Sequence, residues 1–372
     1  MARPRAGRRK ENDMARVYNF NAGPATLPED VLKEIQAEFL DYKGTGISVI
    51  ESSHRSAEYK AINAEAQANI KELLGLGDEF AVLFLQGGAS TQFAMVPMNF
   101  ASAARVPDYT NSGAWAKKAI KEAKIIAGAN VIADTTEAKP AAMPDPAGLQ
   151  ATAGAPYVHI TSNETIAGTQ WKTFPKLDAP LVADMSSDIL SRPIDMAPFG
   201  LIYAGAQKNL GPAGAAVVIV RKDFAESGNE GLPTMFDYRT HIEKDSAFNT
   251  PPVFAVYAVM LVTRWVKAQG GLAKMEEINK AKAAKIYDVI DGTDFFRGTA
   301  AADYRSFMNV TFNLPTEDLE AKFIAEAAEQ GMKGLKGHRS VGGVRASIYN
   351  AFPAEGIDAL VAFMKEFEQN NG

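Results

Sequence analysis

Seven short apolar runs separated mostly by helix-length or loop-length stretches constrain this chain more than any other feature. They lie at Phe80–Leu85, Val106–Tyr109, Asn130–Ala133, Tyr157–Thr161, Leu181–Met185, Leu201–Ala204 and Val217–Arg221. Several carry apolar residues at consecutive rather than alternate positions, which suits strands covered on both faces. Strands alternating with helices predict an α/β domain built on a mainly parallel, seven-stranded sheet. The last two runs are only about a dozen residues apart, so that pair is expected to be antiparallel.

The intervening segments read as helices. Leu27-Pro28-Glu29-Asp30 opens one with proline and acids in its first turn, and Val31, Leu32, Ile35, Phe39 and Leu40 give it an apolar face. A second is predicted over Ala57–Leu74, stopping at Gly75, and a third begins after Gln86-Gly87-Gly88-Ala89-Ser90. Val253–Val262 follows Pro251-Pro252 and is about half a membrane span, so it reads as a buried helix. Beyond about residue 265 the pattern changes to a charged helix (273–290), a strand at Met308–Phe312, a helix (317–329), a strand at Val344–Ile348 and a terminal helix. That is the signature of a smaller α+β unit. Residues 138–155, rich in Ala, Pro and Gly, read as a surface loop.

A chain of 372 residues with 47% hydrophobic and 22% charged residues can bury a sizeable core. Its net charge of -5 carries no basic excess, which argues against a nucleic-acid partner. Residues 1–13 differ, with Arg3, Arg5, Arg8, Arg9 and Lys10 against Glu11 and Asp13. No apolar stretch follows, so this is not a secretory signal. It is expected to be a disordered extension, with Met14 as the natural start. Cysteine is absent, which removes thiolate metal sites and cysteine nucleophiles and suits a cytoplasmic protein.

Chemistry concentrates between the last two runs, in Ala204-Gly205-Ala206-Gln207-Lys208-Asn209-Leu210-Gly211-Pro212-Ala213-Gly214. A lone lysine among small residues is either a solvated turn residue or, if desolvated, an amine of lowered pKa able to form a Schiff base. Gly87-Gly88-Ala89-Ser90 between a strand and a helix is either a tight turn or an anion cradle. It is neither a Walker loop nor a complete dinucleotide fingerprint. Asp184, at the end of a buried strand, either caps a turn or faces a ligand such as a pyridinium nitrogen. Trp115 either packs in the core or stacks on an aromatic ring. His54-Arg55 and His338-Arg339, with Arg345 nearby, are loop cations or an anionic-substrate site. The four histidines lack metal-ligand spacing.

Longer strings narrow the choice. Asn19-Phe20-Asn21-Ala22-Gly23-Pro24, Ser52-Ser53-His54-Arg55, Ser162-Asn163-Glu164-Thr165-Ile166-Ala167-Gly168 and Ile189-Leu190-Ser191-Arg192-Pro193 resemble signatures of the phosphoserine aminotransferases. So do Tyr203–Asn209, Phe248-Asn249-Thr250-Pro251-Pro252 and the segment from Lys336-Gly337-His338-Arg339 to Ile348-Tyr349-Asn350. That family is a class V aminotransferase group of fold type I that uses pyridoxal 5'-phosphate (PLP), and the resemblance runs from Val17 to the C-terminus. It implies that Lys208 carries PLP as a Schiff base and shuttles the proton. Asp184 would pair with the ring nitrogen, Trp115 would stack on the ring and Thr165 would bond its hydroxyl. Ala89, Ser90 and Gln207 would hold the cofactor phosphate, joined by Asn249 and Thr250 from a neighbouring subunit of a homodimer. His54, Arg55, His338 and Arg339 would bind the substrate phosphate or the distal carboxylate of glutamate, and Arg345 the α-carboxylate.

The implied reaction is transamination between 3-phosphohydroxypyruvate and glutamate, giving phosphoserine and 2-oxoglutarate on the route to serine. Some members of the family have Gly-Arg where this chain has Ala89-Ser90, so cofactor affinity is expected to differ. The expected division is a tail at 1–13, a segment at 14–26 packing with the small domain, a large PLP-binding domain at 27–267 and a small domain at 268–372. A cysteine desulfurase is excluded by the lack of cysteine. An alanine–glyoxylate type aminotransferase, a catalytically silent binding protein and a nicotinamide dehydrogenase are the rival readings.

Overall fold

The computed structural model describes residues 16–372, so the basic segment 1–13 lies outside the described residues. The large sheet is formed by β1 (Phe80–Leu85), β2 (Asp108–Asn111), β3 (Asn130–Asp134), β4 (Val158–Thr161), β5 (Leu181–Asp184), β6 (Phe199–Gly205) and β7 (Ala216–Arg221). Their spatial order is β1-β7-β6-β5-β4-β2-β3. Strand β7 runs antiparallel to both neighbours, and the other adjacent pairs are parallel. The short β6–β7 connection therefore joins an antiparallel pair, as its length predicts. Strand β2 begins at Asp108 rather than Val106 because Pro107 has no N–H to donate. The first ladder bond comes from Asp108 N to Tyr157 O, at 3.1 Å.

Both faces of the sheet are covered, which is why its strands need no polar alternation. On one face lie α1 (Glu29–Glu38), α2 (Ala57–Leu74) and, after the third and fourth helices, α5 (Val253–Ala268). Helix α2 starts where the Ser56 side chain accepts from Tyr59 N and stops at Gly75, whose φ of 63° favours glycine. Its buried residues Tyr59, Ile62, Ala66, Ile70 and Leu74 recur at helical spacing and pack, with α5, against the sheet. Helix α5 is buried almost all round, as its sequence predicts. Helices α3 (Gly88–Phe100) and α4 (Ala114–Ile126) cover the other face, over Leu83, Tyr109, Val182, Tyr203 and Val218.

Helix α6 (Gly271–Asp291) spans both halves: Leu272 and Met275 join the large core, while Ala283, Ile286 and Ile290 join a second. That second core lies under a three-stranded antiparallel sheet of β8 (Arg297–Gly298), β9 (Asn309–Asn313) and β10 (Val344–Ser347). Helices α7 (Glu317–Glu329) and α8 (Ala354–Asn371) complete it. Near the N-terminus, Tyr18–Asn19 pairs parallel with Met332–Lys333, and Phe20 is buried in the same core. Residues 138–155 are not a plain surface loop. Ala141 N donates to Thr299 O and Ala301 N to Ala141 O, while Met143 and Leu149 are buried.

Buried polar side chains join the two halves. Asn209 Nδ2 donates to Ile189 O and its Oδ1 accepts from Asn350 N, both at 3.0 Å. Asn279 bonds Ser191 O and Asn350 Oδ1, and Asn350 Nδ2 reaches Leu190 O. Lys282, on α6, is buried with its ammonium facing the carbonyls of Ile348, Tyr349, Asn350 and Phe352 at 2.6–3.3 Å. Those carbonyls have the ammonium as a shared donor, and unpaired buried carbonyls are costly. Lys282→Met is therefore expected to destabilise the protein by about 2–4 kcal/mol. A urea midpoint equal to that of the unaltered protein would contradict this.

Candidate active site

Lys208 sits in the β6–β7 loop, at the carboxyl end of the sheet, where open α/β sheets form ligand crevices. The loop is held by Ala206 O, which accepts from Leu210 N at 3.1 Å and Gly211 N at 2.8 Å. The N-terminal segment closes on it, with Ala25 N donating to Gln207 O at 2.9 Å. Lys208 Nζ donates to Thr165 Oγ1 at 3.0 Å and lies 5.2 Å from the Trp115 ring centroid. Burial lowers its pKa, while the nearby carboxylates of Asp184 and Glu164 pull it back up.

Asp184 ends β5 and is buried. Its Oδ1 accepts from Ser186 N at 2.9 Å and Ser186 Oγ at 2.6 Å, and the same Oγ accepts from Gly205 N at 3.0 Å. The turn-capping reading of Asp184 has its place here. Oδ1 shapes the turn, while no donor among the described residues meets Oδ2. Burial pushes this carboxyl up, with Lys208 and Ser186 opposing. A buried carboxylate with a free oxygen suits a cationic ring nitrogen.

Thr165 reaches Lys208 from the turn of a tight hairpin in which Asn163–Glu164 pairs with Thr169–Gln170. Asn163 Nδ2 donates to Ser187 Oγ and Asn309 Oδ1, at 2.7 and 2.8 Å, fixing the hairpin to both halves. The Glu164 carboxylate is fully buried and accepts from Trp115 N at 3.1 Å and Ala116 N at 3.0 Å. Burial is the main cause of its rise to about 7. The sequence reading quotes Glu164 within a motif and gives it no role. Its partners lie 48 and 49 residues away, so no local spacing marks them.

Ala89 and Ser90 lie in the first turn of α3, after Gly87 and Gly88 with φ of 86° and 63°. No side chain caps this end, so backbone N–H groups and the helix dipole are available to an anion. Asn249 and Thr250 are exposed beside it. Gln86 Nε2 donates to Thr250 O at 2.9 Å, and Gly87, Thr91 and Asn249 share the wall of a cavity of about 240 Å³.

Arg345 and His338 line a second cavity of about 200 Å³ with Ile166, Thr311 and Gly337. Arg345 Nε is buried with no hydrogen-bond partner, and no carboxylate of the described residues pairs with this guanidinium. Such a cation fits an anionic ligand. Ser340 N donates to His338 Nδ1 at 3.2 Å, which places the ring proton of a neutral His338 on Nε2. Burial, then Arg345 and Arg339, lower the His338 pKa. Arg339 is exposed, as is Arg55, while His54 is half-buried. No hydrogen bond or ion pair among the described residues joins His54 or Arg55 to the Lys208 cleft. Nor do the described residues include a cluster of His, Asp and Glu able to hold a metal ion.

Comparison with known proteins agrees with this geometry. The family model for aminotransferase class V matches residues 17–360. The phosphoserine aminotransferase of Desulfosudis oleivorans is 57% identical over 360 residues, covering 96% of this chain and 99% of that protein. The solved phosphoserine aminotransferase of Bacillus circulans subsp. alkalophilus superposes with a TM-score of 0.92 at 51% identity, covering 96% of this chain and 99% of that one. A PLP-bound phosphoserine aminotransferase from Trichomonas vaginalis superposes at 0.90 with 40% identity, covering 94% and 100%. The lysine loop, the strand-end aspartate and the full-length similarity have one conclusion: the chain belongs to the class V aminotransferases and, within them, to the phosphoserine aminotransferase family.

Proposed function

We propose that this chain exchanges an amino group between phosphoserine and 2-oxoglutarate, reversibly and with PLP, as the family assignment implies. The observation that carries the reading is the convergence on Lys208 Nζ of Thr165 Oγ1 and the Trp115 ring, with the buried Asp184 charge close by. The residues fit the cofactor. Asp184 has a free carboxylate oxygen, the first turn of α3 has uncapped amides, and Lys208 is a desolvated amine.

In this reading Asp184 holds the ring nitrogen protonated, Trp115 packs on the ring and Thr165 bonds its hydroxyl. Ala89, Ser90 and Gln207 hold the phosphate. Asn249 and Thr250 join them from a second copy in a homodimer. The exposed side chains of Phe248, Phe236 and Met235 near these two residues support such an interface. Bound there, PLP supplies an electron sink for the α-carbon of an amino acid. Lys208, as a free amine, takes the proton from that carbon and returns it elsewhere on the reacting skeleton. Desolvation favours this role, since it keeps the neutral amine populated at lower pH than in water.

Substrate choice rests with the cations. Arg345, lacking an internal partner, takes the α-carboxylate that both amino acids share. His338 and Arg339 take the distal phosphate or carboxylate. His54 and Arg55 share that task on the strength of the family motif Ser52-Ser53-His54-Arg55. No helix among the described residues is long and apolar enough to cross a membrane, and a cytoplasmic setting is proposed from the cysteine-free composition.

Two measurements test this reading. With PLP and 2-oxoglutarate, phosphoserine is expected to yield glutamate far faster than alanine. A preference for alanine would return the chain to the alanine–glyoxylate type. Arg345→Ala is expected to raise KM for phosphoserine and glutamate alike by roughly 10- to 100-fold, matching the loss of a charge-assisted hydrogen bond. An effect on one substrate alone would show that Arg345 does not hold the shared carboxylate.

A further inference from the structure

Helix α4 has an unusual start. Its N-cap position is Gly113, which offers no side chain, so the helix lacks a local cap. The cap comes instead from Glu164 on the hairpin, whose two oxygens accept from Trp115 N and Ala116 N. Gly113 has a φ of 163°, an extended value open to any residue, so backbone strain does not demand glycine there. What excludes a side chain is the cap itself: a Cβ at Gly113 would lie 2.6 Å from the Glu164 carboxyl carbon.

The next residue along the hairpin, Thr165, holds Lys208 Nζ. Two consecutive residues thus tie down the two groups between which a ring must fit, Glu164 through the backbone of Trp115 and Thr165 through the Lys208 amine. We propose that Glu164 is a positioning residue for the reaction, capping α4 from the hairpin so that Trp115 keeps a fixed place beside Lys208. This rests on the PLP-dependent reading given above.

The same carboxylate adds a negative charge to the surroundings of Lys208. The other charges there are Asp184 at the end of β5, Asp188 in the turn after it and Arg345 on β10. Glu164 is itself faced by Asp184, which raises its pKa, and by Lys208 and the α4 amides, which lower it. Removing the Glu164 charge should therefore lower the pKa of the Lys208 amine. The Lys208 pKa thus reports the Glu164 charge, and cofactor affinity reports the position of Trp115.

The test uses the full-length protein with Glu164→Gln and, as a second route to the same contact, Gly113→Ala. Glutamine has one oxygen for two N–H donors and no charge. The alanine Cβ displaces the carboxylate while leaving its charge in the chain. Three quantities are read: the PLP dissociation constant from absorbance titration, the thermal midpoint, and the Lys208 pKa in cofactor-free protein. The last comes from the pH dependence of trinitrobenzenesulfonate labelling at that residue. Both variants are expected to bind PLP roughly tenfold more weakly, and Glu164→Gln to lower the Lys208 pKa. Variants that lose thermal stability while keeping wild-type PLP affinity and Lys208 pKa would overturn the proposal and leave Glu164 a structural cap. Unaltered protein that shows no visible absorption with PLP would instead overturn the cofactor reading itself.

Discussion

A lysine ammonium moved out of water at the carboxyl end of a mainly parallel sheet needs an opposing charge or it sheds its proton. That constraint organises this molecule. Asp184 and Glu164 approach Lys208 from different elements, one at the end of β5 and one on a short hairpin. Each is a carboxylate that burial would otherwise neutralise. Lys208 and each carboxylate favour one another's charged form, while Asp184 opposes the charge on Glu164 and burial opposes all three. Disturbing any one changes the protonation of the others, and such a coupled set titrates as a unit.

Holding these groups together requires that the two cores not slide past each other. Asparagines are prominent in the contact between them, and each of Asn163, Asn209, Asn279 and Asn350 bonds groups on more than one element. An apolar interface of the same size would tolerate small displacements, because dispersion contacts have no direction. Hydrogen-bonded amides specify distance and angle. Arg345 on β10 and Lys208 after β6 belong to different sheets, yet the unpartnered guanidinium is close enough to lower the lysine pKa. The asparagine contacts make that separation reproducible.

Much of this was legible in the chain, for physical reasons that differ by element. Strand β1, most of β7 and Leu181-Val182-Ala183 of β5 are unbroken apolar runs, and cover on both faces of the sheet produces that pattern directly. Strand β2 was misplaced by two residues because Pro107 has no N–H to donate while Val106 still looks strand-like. The 138–155 segment gave no sign of the Ala141 pairing with the small domain, since a single bridge leaves no periodicity. Lys208 and Asp184 stand out as polar residues beside strand ends, while Thr165 was named only through the family resemblance. Glu164 did not stand out, because capping a helix across 48 residues of sequence needs only a carboxylate in space. His54 and Arg55 were singled out as a pair, and no hydrogen bond or ion pair among the described residues joins them to Lys208.

The most direct test of the central claim is chemical. The purified protein would be saturated with PLP, reduced with borohydride, digested and sequenced by mass spectrometry. A reduced adduct at Lys208, with other lysines unmodified at stoichiometric cofactor, is the expected result. An adduct at another lysine such as Lys282 or Lys172, or no stable adduct at all, would contradict the assignment of the β6–β7 loop as the reactive centre.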